Sequence, residues 1–236
     1  MKRERKLSFF VHMNKQYMEV KINMNCRGHE KRKSIVRDYQ VKPEAHVKLL
    51  PNKIIKSDAG GNIENEYYLF SARKKGGNRT ELIQCGMGAA RDFLVLLNHP
   101  GLSLFNPLKS DESHRELSGT QATVNARDKE QWNETAKQLY NAIMWLFILW
   151  DVKPNTPLFN IKDEVIQNKN NEPSLRIIKS VNTMIRNGEK GEKLTNIIDA
   201  CDRNKNIINS KRNFTLLKKK IEKIVNQDGE GIESFF

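Results

Sequence analysis

Alternating apolar and polar positions in the first third of the chain predict β-strands. Apolar side chains occupy every second position from Met18 to Met24, which is the period of a strand with one buried face. Glu66–Ala72 is aromatic and β-prone. We predict strands at Leu7–Met13, Tyr17–Met24, His46–Leu50, Lys53–Ile55 and Glu66–Ala72, which together indicate a small, twisted antiparallel sheet.

A central helix is predicted within Glu81–Leu108, the longest stretch with neither a charge run nor a polar gap. A broad apolar stripe extends over Gly88–Leu97, and Pro100 and Gly101 follow it as helix breakers. Small residues at the start of this helix leave space for another backbone or a ligand. Thr80 is a candidate cap for whatever element begins at Glu81.

Helical periodicity dominates the second half of the chain. Apolar residues of Lys129–Trp150 fall on one face behind the candidate N-cap Asp128, and Ala142–Trp150 is apolar all round. That end is therefore predicted to be core or a protein interface. Further helices are predicted at Ile161–Ile166, from the N-cap Ser174 to Asn187 with Gly188 as terminator, at Leu194–Asp202 and at Phe214–Asn226.

These elements predict an α+β protein, in which an N-terminal antiparallel β-rich region packs on a mostly helical C-terminal half. The expected organisation is a basic β-rich region with the central helix (1–108), a polar loop (109–127), a helical region (128–227) and a flexible acidic-aromatic tail (228–236). The tail resembles the acidic, phenylalanine-ended tails of some single-strand DNA-binding proteins, which recruit partners. The alternative is a terminus that docks its phenylalanines on the core.

Charge is concentrated at one end of the chain. The formal net charge is +13, and residues 1–80 carry 19 Lys and Arg against 8 Asp and Glu. Residues 81–236 carry 22 against 20. Such an imbalance is typical of proteins that bind DNA, RNA or an acidic partner, and the alternative is a surface that is merely rich in lysine.

Two basic clusters are the predicted nucleic-acid-binding residues. The first lies in the polar segment 26–38 and the second in a glycine-containing loop after the strand Glu66–Ala72. Glycine lets backbone amides approach an anion, and cations add charge-assisted contacts. The predicted contact residues are Arg27, Lys31, Arg32, Lys33 and Arg37, together with Arg73, Lys74, Lys75 and Arg79.

The favoured function is phosphate-backbone binding to DNA or RNA, as a subunit of a larger bacterial or phage assembly. No nucleotide cofactor is expected, because the chain lacks a phosphate-loop motif and has only a fragment of a dinucleotide fingerprint at Gly86–Gly88. No apolar run spans a membrane and the basic N-terminus lacks a signal-peptide pattern. We therefore expect a cytoplasmic protein.

A nuclease is the first alternative. Glu19, Val20 and Lys21 fit the (D/E)-x-K triplet of magnesium-dependent nucleases, although only Glu4 precedes them as an acid. Five histidines offer acid–base groups for a metal-free ribonuclease. Arg91–Asp92 near His99 is the most site-like cluster, and a structural ion pair is its simpler explanation.

Cysteine usage indicates reduced thiols rather than a metal centre. Three cysteines lie far apart, and a zinc site normally needs four ligands at recognisable spacing. Cys26, His29 and Cys85 are the conceivable ligands, but no metal site is predicted. The last alternative is a protein-interaction or inhibitor module that uses Ala142–Trp150 or the C-terminal tail.

Overall fold

The computed structural model describes residues 24–109, 132–150, 152, 156–188, 191–202, 206–225 and 230–236. The predicted strand Leu7–Met13, nearly all of Tyr17–Met24, the candidate cap Asp128 and most of the loop 109–127 lie outside these residues. Within them the chain is α+β, with an antiparallel sheet in its N-terminal half and a mostly helical C-terminal half.

The main sheet has three antiparallel strands, β1 (Tyr39–Lys48), β4 (Glu66–Lys74) and β5 (Thr80–Gly86), in the order β1-β4-β5. A separate two-stranded ribbon joins β2 (Ile55–Lys56) to β3 (Asn62–Ile63). The predicted strand Glu66–Ala72 is confirmed as most of β4. The interpretation of Thr80 as a helix cap is wrong, because Thr80 opens β5 opposite Arg73.

The central strand β4 is buried on both faces, which explains its run of consecutive apolar residues. On one face, Tyr68 and Phe70 join a core formed with α1 (His29–Asp38) and α2 (Met87–Leu96). On the other face, Tyr67 and Leu69 join the larger core of the helical half. The predicted helix Gly88–Leu97 is thus confirmed as α2, one residue earlier at each end.

The helical half contains α3 (Glu134–Leu149), α4 (Pro157–Gln167), α5 (Leu175–Arg186), α6 (Leu194–Cys201), α7 (Asn209–Arg212) and α8 (Thr215–Glu222). Residues 142–148 of α3 are all buried within the chain itself. Trp145 is fully buried and donates from Nε1 to the Lys211 carbonyl at 2.8 Å. The apolar segment Ala142–Trp150 was predicted to be either core or a protein interface. Residues 142–148 belong to the core, so the prediction of an exposed interface is wrong for them.

Three helix ends differ from their sequence interpretation. Asn133 caps α3, since its Oδ1 accepts from the amides of Thr135 and Ala136 at 3.0 and 3.2 Å. Ser174 occupies the N-cap of α5 but its side chain makes no capping hydrogen bond. Gly188 follows α5 without a positive φ, so it is not the left-handed terminator that the sequence indicated.

The edge of β1 is joined to α4 by a buried ion pair. The register of β1 shifts between Pro43 and Ala45, which leaves Glu44 in a β-bulge that re-aims its side chain. Lys162 Nζ donates to Glu44 Oε2 at 2.5 Å and to the Glu44 carbonyl at 2.7 Å. Ser71 Oγ donates to the second carboxylate oxygen at 2.7 Å.

The last seven residues dock on the helical half instead of forming a flexible tail. Phe236 is fully buried and its ring lies 6.4 Å from that of Phe214. Asn182 binds the segment from both sides of its amide, by accepting from the Phe235 amide at 2.7 Å and donating to the Glu233 carbonyl at 3.0 Å. Burial of the Phe236 ring and the two hydrogen bonds of Asn182 offset part of the entropy lost in ordering these residues.

Across the part of the chain that the structure describes, we find no helix with the length and apolar character needed to cross a membrane.

Candidate nucleic-acid interface

The fold brings the two predicted basic clusters together. The end of α1 lies beside the turn between β4 and β5, where the Lys75 amide donates to the Asp38 carbonyl at 3.1 Å. Lys75 Nζ also donates to the Arg37 carbonyl at 2.8 Å. Tyr39, the residue after α1, pairs with Lys74 across the sheet. Segments more than 30 residues apart in sequence therefore form one surface.

Eight of the nine predicted cations are exposed, and we call this set the basic ridge. It consists of Arg27, Lys31, Lys33, Arg37, Arg73, Lys74, Lys75 and Arg79. Segment 27–38 contains five Lys and Arg against two acids, and segment 73–81 contains four against one. Each segment thus has a net charge of +3.

Local sequence favours α1, the helix that carries three of the eight ridge cations. Five of the ten residues in 29–38 are lysine, arginine or glutamate, which favour helix, and Ile35 anchors the buried side of α1. Lys75 lies at the C-terminal end of α1, where it satisfies carbonyls without a partner inside the helix. A cation there also interacts favourably with the helix dipole.

The turn between β4 and β5 is held by its own hydrogen bonds. Gly76 has a φ of 74°, a left-handed conformation that glycine adopts without steric cost. The Gly77 amide donates to the Lys74 carbonyl at 3.1 Å. Arg73 donates to the Gly77 carbonyl and to Asn78 Oδ1, both at 3.2 Å, so its guanidinium lies along the turn.

The ridge cations differ in how far their charge is already engaged. Within the described residues, no side-chain hydrogen bond or ion pair engages four of them: Arg27, Lys31, Lys33 and Lys74. Arg37 binds Asp38 at 2.7 Å, and that hydrogen bond lowers the pKa of the Asp38 carboxyl. Arg79 Nε lies 3.5 Å from Glu81 Oε1. The first four are therefore the cations most available to a phosphate.

Arg32 has a different role from the other predicted cations. Its side chain is only 14% exposed, and it donates to Asp92 Oδ2 at 2.5 Å and to the Cys26 carbonyl at 2.9 Å. His29 Nδ1 lies 2.9 Å from Asp92 Oδ1. Burial opposes ionisation of Asp92, but these hydrogen bonds from Arg32 and His29 outweigh it and lower its pKa. Arg32 thus joins α1 to α2.

Two candidate clusters remain, namely Arg91–Asp92 with His99, and Cys26 with His29 and Cys85. Asp92 pairs with α1 rather than with His99, whose Nδ1 accepts from the Gly101 amide at 2.9 Å. Cys26 and Cys85 are fully buried and form a hydrogen bond with each other. This hydrogen bond is the main cause of a raised pKa of the Cys85 thiol, and desolvation by burial is the second cause. Among the residues that the structure describes, no three His, Cys, Asp or Glu side chains are grouped to hold a metal.

The nuclease triplet Glu19–Lys21 and the preceding Glu4 lie outside the described residues. Of the histidines inside them, His46 is engaged structurally. Its Nδ1 lies 3.0 Å from the Leu102 carbonyl and its ring stacks on Tyr68 at 4.2 Å. Sequence reasoning missed two residues that organise the region, namely Lys75 as the cap of α1 and Asp92 as the partner of Arg32, because both contacts are non-local.

Comparison with known proteins gives one family match. Residues 24–227 match the family described as Uncharacterised conserved protein UCP028583. No curated protein and no solved structure matches significantly. The matched segment contains all nine predicted cations and extends over most of the chain, so the chain belongs to this family.

Proposed function

We propose that the chain binds DNA or RNA through the phosphate backbone, using the basic ridge. The observation that carries the proposal is the contact of Lys75 with the end of α1, which unites two basic segments from distant parts of the sequence. A basic patch on one face is the electrostatic footprint of nucleic-acid binding. The setting we propose is the cytoplasm and a larger bacterial or phage assembly, and the three free thiols fit a reducing compartment.

Binding would proceed by neutralisation of phosphates and release of their counterions. The ten residues of α1 extend over about 15 Å, which corresponds to roughly four base-pair steps of a duplex. Several cations therefore reach phosphates at once. By sequence, residues 1–23 add six Lys and Arg against two Glu, which increases the positive charge of the N-terminal region.

The first test removes three unengaged lysines in the variant Lys31→Ala/Lys33→Ala/Lys74→Ala. Fluorescence anisotropy with short labelled single- and double-stranded DNA and RNA, over a series of salt concentrations with magnesium, gives the affinity and its salt dependence. We expect weaker binding that is uniform across probe sequences. The slope of log affinity against log salt should fall by about one for each phosphate that the variant no longer neutralises.

A matched control removes the same charge from the helical half. Lys179, Lys219 and Lys223 are exposed, so Lys179→Ala/Lys219→Ala/Lys223→Ala has the same net charge as the ridge variant. The proposal requires a larger reduction in affinity for the ridge variant. Equal reductions would show that net charge alone drives binding, absence of binding by the native chain would refute the proposal, and cleaved probe would favour the nuclease alternative.

A further inference from the structure

A second candidate site lies apart from the basic ridge, in a cavity of about 640 Å³ between the loop after β1 and the helical half. Its volume falls within the range of small-molecule sites, roughly 300–1,000 Å³. One wall is apolar and is formed by Leu50, Leu149, Trp150, Ile185, Ile197 and Ile207. We call this cavity the Lys53 cleft, after the cation that lines it.

The indole of Trp150 in this wall lies directly against Gly188. A Cβ added to Gly188 would lie 2.8 Å from Trp150 Cζ2, which is closer than real Cβ atoms approach. Only glycine therefore lets the Trp150 ring lie where it does.

Lys53 supplies a half-buried positive charge to the cleft. Its Nζ donates to the Ile148 carbonyl at 2.5 Å, at the C-terminal end of α3. Desolvation lowers the pKa of Lys53, and the nearby Cys201 offsets this only in part. None of the carboxylates in the described residues forms an ion pair with Lys53. An ammonium has three donors, so donors remain for a ligand.

The buried carboxylate beside the cleft is already engaged. Asp202 Oδ1 accepts from the amides of Asn206 and Ile207 at 2.7 and 3.1 Å, and Oδ2 lies 3.3 Å from Arg212. Glu192 also lines the cleft but is exposed, so water screens its charge. The half-buried charge available to a ligand in the cleft is therefore positive.

We propose that the Lys53 cleft binds a small organic acid, with a flat apolar body against Trp150 and its anionic group on Lys53. The apolar wall gains from burying the body of such a molecule. The anion relieves the desolvation of the ammonium through a charge-assisted hydrogen bond. This ligand site is independent of the basic ridge and of nucleic-acid binding.

Anilinonaphthalene sulfonate is a suitable probe, because it combines a flat aromatic body with one anionic group and fluoresces in apolar sites. We expect the native full chain to bind it, and Lys53→Met to weaken binding by at least about tenfold, as for loss of a hydrogen bond to a charged group. The matched control is Lys56→Met, which removes an exposed lysine of β2. The uncharged analogue N-phenylnaphthylamine should bind the native chain and Lys53→Met alike.

Cysteine alkylation gives a second measurement that does not depend on the Lys53 variant. Cys26 and Cys85 are buried and Cys201 is exposed in the cleft, so maleimide reacts first with Cys201 in the folded chain. Saturating probe should slow this reaction several-fold. Ala200→Trp places a large side chain in the lining of the cleft. This variant should lower the affinity for the probe, and it gives a test even if Lys53→Met fails to fold. Unchanged probe affinity in Ala200→Trp, or an unchanged alkylation rate, would overturn the proposal.

Discussion

Replacement of Lys162 by methionine removes one member of the buried ion pair between α4 and the bulge of β1. The side chains of Lys162 and Glu44 are only 3% and 4% exposed, and Nζ lies 2.5 Å from Oε2. Methionine preserves most of the volume of the lysine stem. The variant therefore removes the charge together with both hydrogen bonds to Glu44, and it leaves the Glu44 carboxylate buried without its main partner.

The cost follows from the contacts that remain. Removal of one member of a buried pair costs about 3–5 kcal/mol, because the other charge stays desolvated. Lys42 Nζ lies 3.5 Å from Glu44 Oε2 and is half exposed, so it replaces part of the missing interaction. We therefore expect the lower end, about 3 kcal/mol. For a chain of this size that lowers Tm by about 6–12 °C.

Urea unfolding followed by circular dichroism measures this free energy, with Tm from thermal melts of the same samples. Lys220→Met is the matched control, since Lys220 forms an ion pair with Glu172 at 2.7 Å on the surface. Its unfolding midpoint should be nearly unchanged, because exposed pairs are screened by water. The double variant Glu44→Gln/Lys162→Met removes the orphaned charge and should regain part of the stability.

Two results would contradict this reasoning. A Lys162→Met variant as stable as the Lys220→Met control would show that the carboxylate of Glu44 finds solvation without Lys162. A double variant no more stable than Lys162→Met would show that poorer packing, rather than the orphaned charge, causes the destabilisation.

Acid stability and glycine packing give two further tests. The pKa of Asp92 is lower in the folded chain than its ordinary value of 3.8, so on acidification the unfolded chain binds the proton first. Ionised Asp92 therefore stabilises the fold. This contribution to the free energy of unfolding is complete above about pH 3.8 and is lost as the pH falls through the lowered pKa. The urea midpoint of Asp92→Asn should therefore fall less steeply with decreasing pH than that of the native chain. Equal slopes of midpoint against pH would refute the contribution of Asp92 to acid sensitivity. Gly188→Ala should displace the indole of Trp150, change tryptophan fluorescence and cost about 1–3 kcal/mol in urea unfolding. Gly88→Ala, where an added Cβ meets nothing within 4 Å, is its control and should not destabilise.

Elements with a strong local pattern were predicted well. Consecutive aromatic and β-prone residues identified most of β4, and the apolar stripe identified α2 and α3. The start of α3 was misplaced by five residues, because Asp128 and Asn133 are both good N-cap types. β5 was missed since its apolar residues do not alternate, and its identity depends on pairing with β4.

The candidate interface shows the same division. Net charge along the sequence identified the nine cations, and eight of them are exposed. Sequence reasoning did not separate Arg32 from its neighbours Lys31 and Lys33, although only Arg32 reaches Asp92 on another helix. Gly188 was assigned a backbone role, whereas its close contact with Trp150 requires glycine.

Local sequence was sufficient to predict the α+β class, the central strand β4, the helix α2 and the concentration of positive charge in the first third. These properties depend on local periodicity and composition, which each segment carries with it. Three features became evident only from the folded chain: Lys75 caps α1 and joins the two basic clusters, Arg32 is internal, and residues 230–236 dock on the helical half. Those outcomes depend on contacts between residues tens of positions apart, and no local pattern encodes the partner of a side chain.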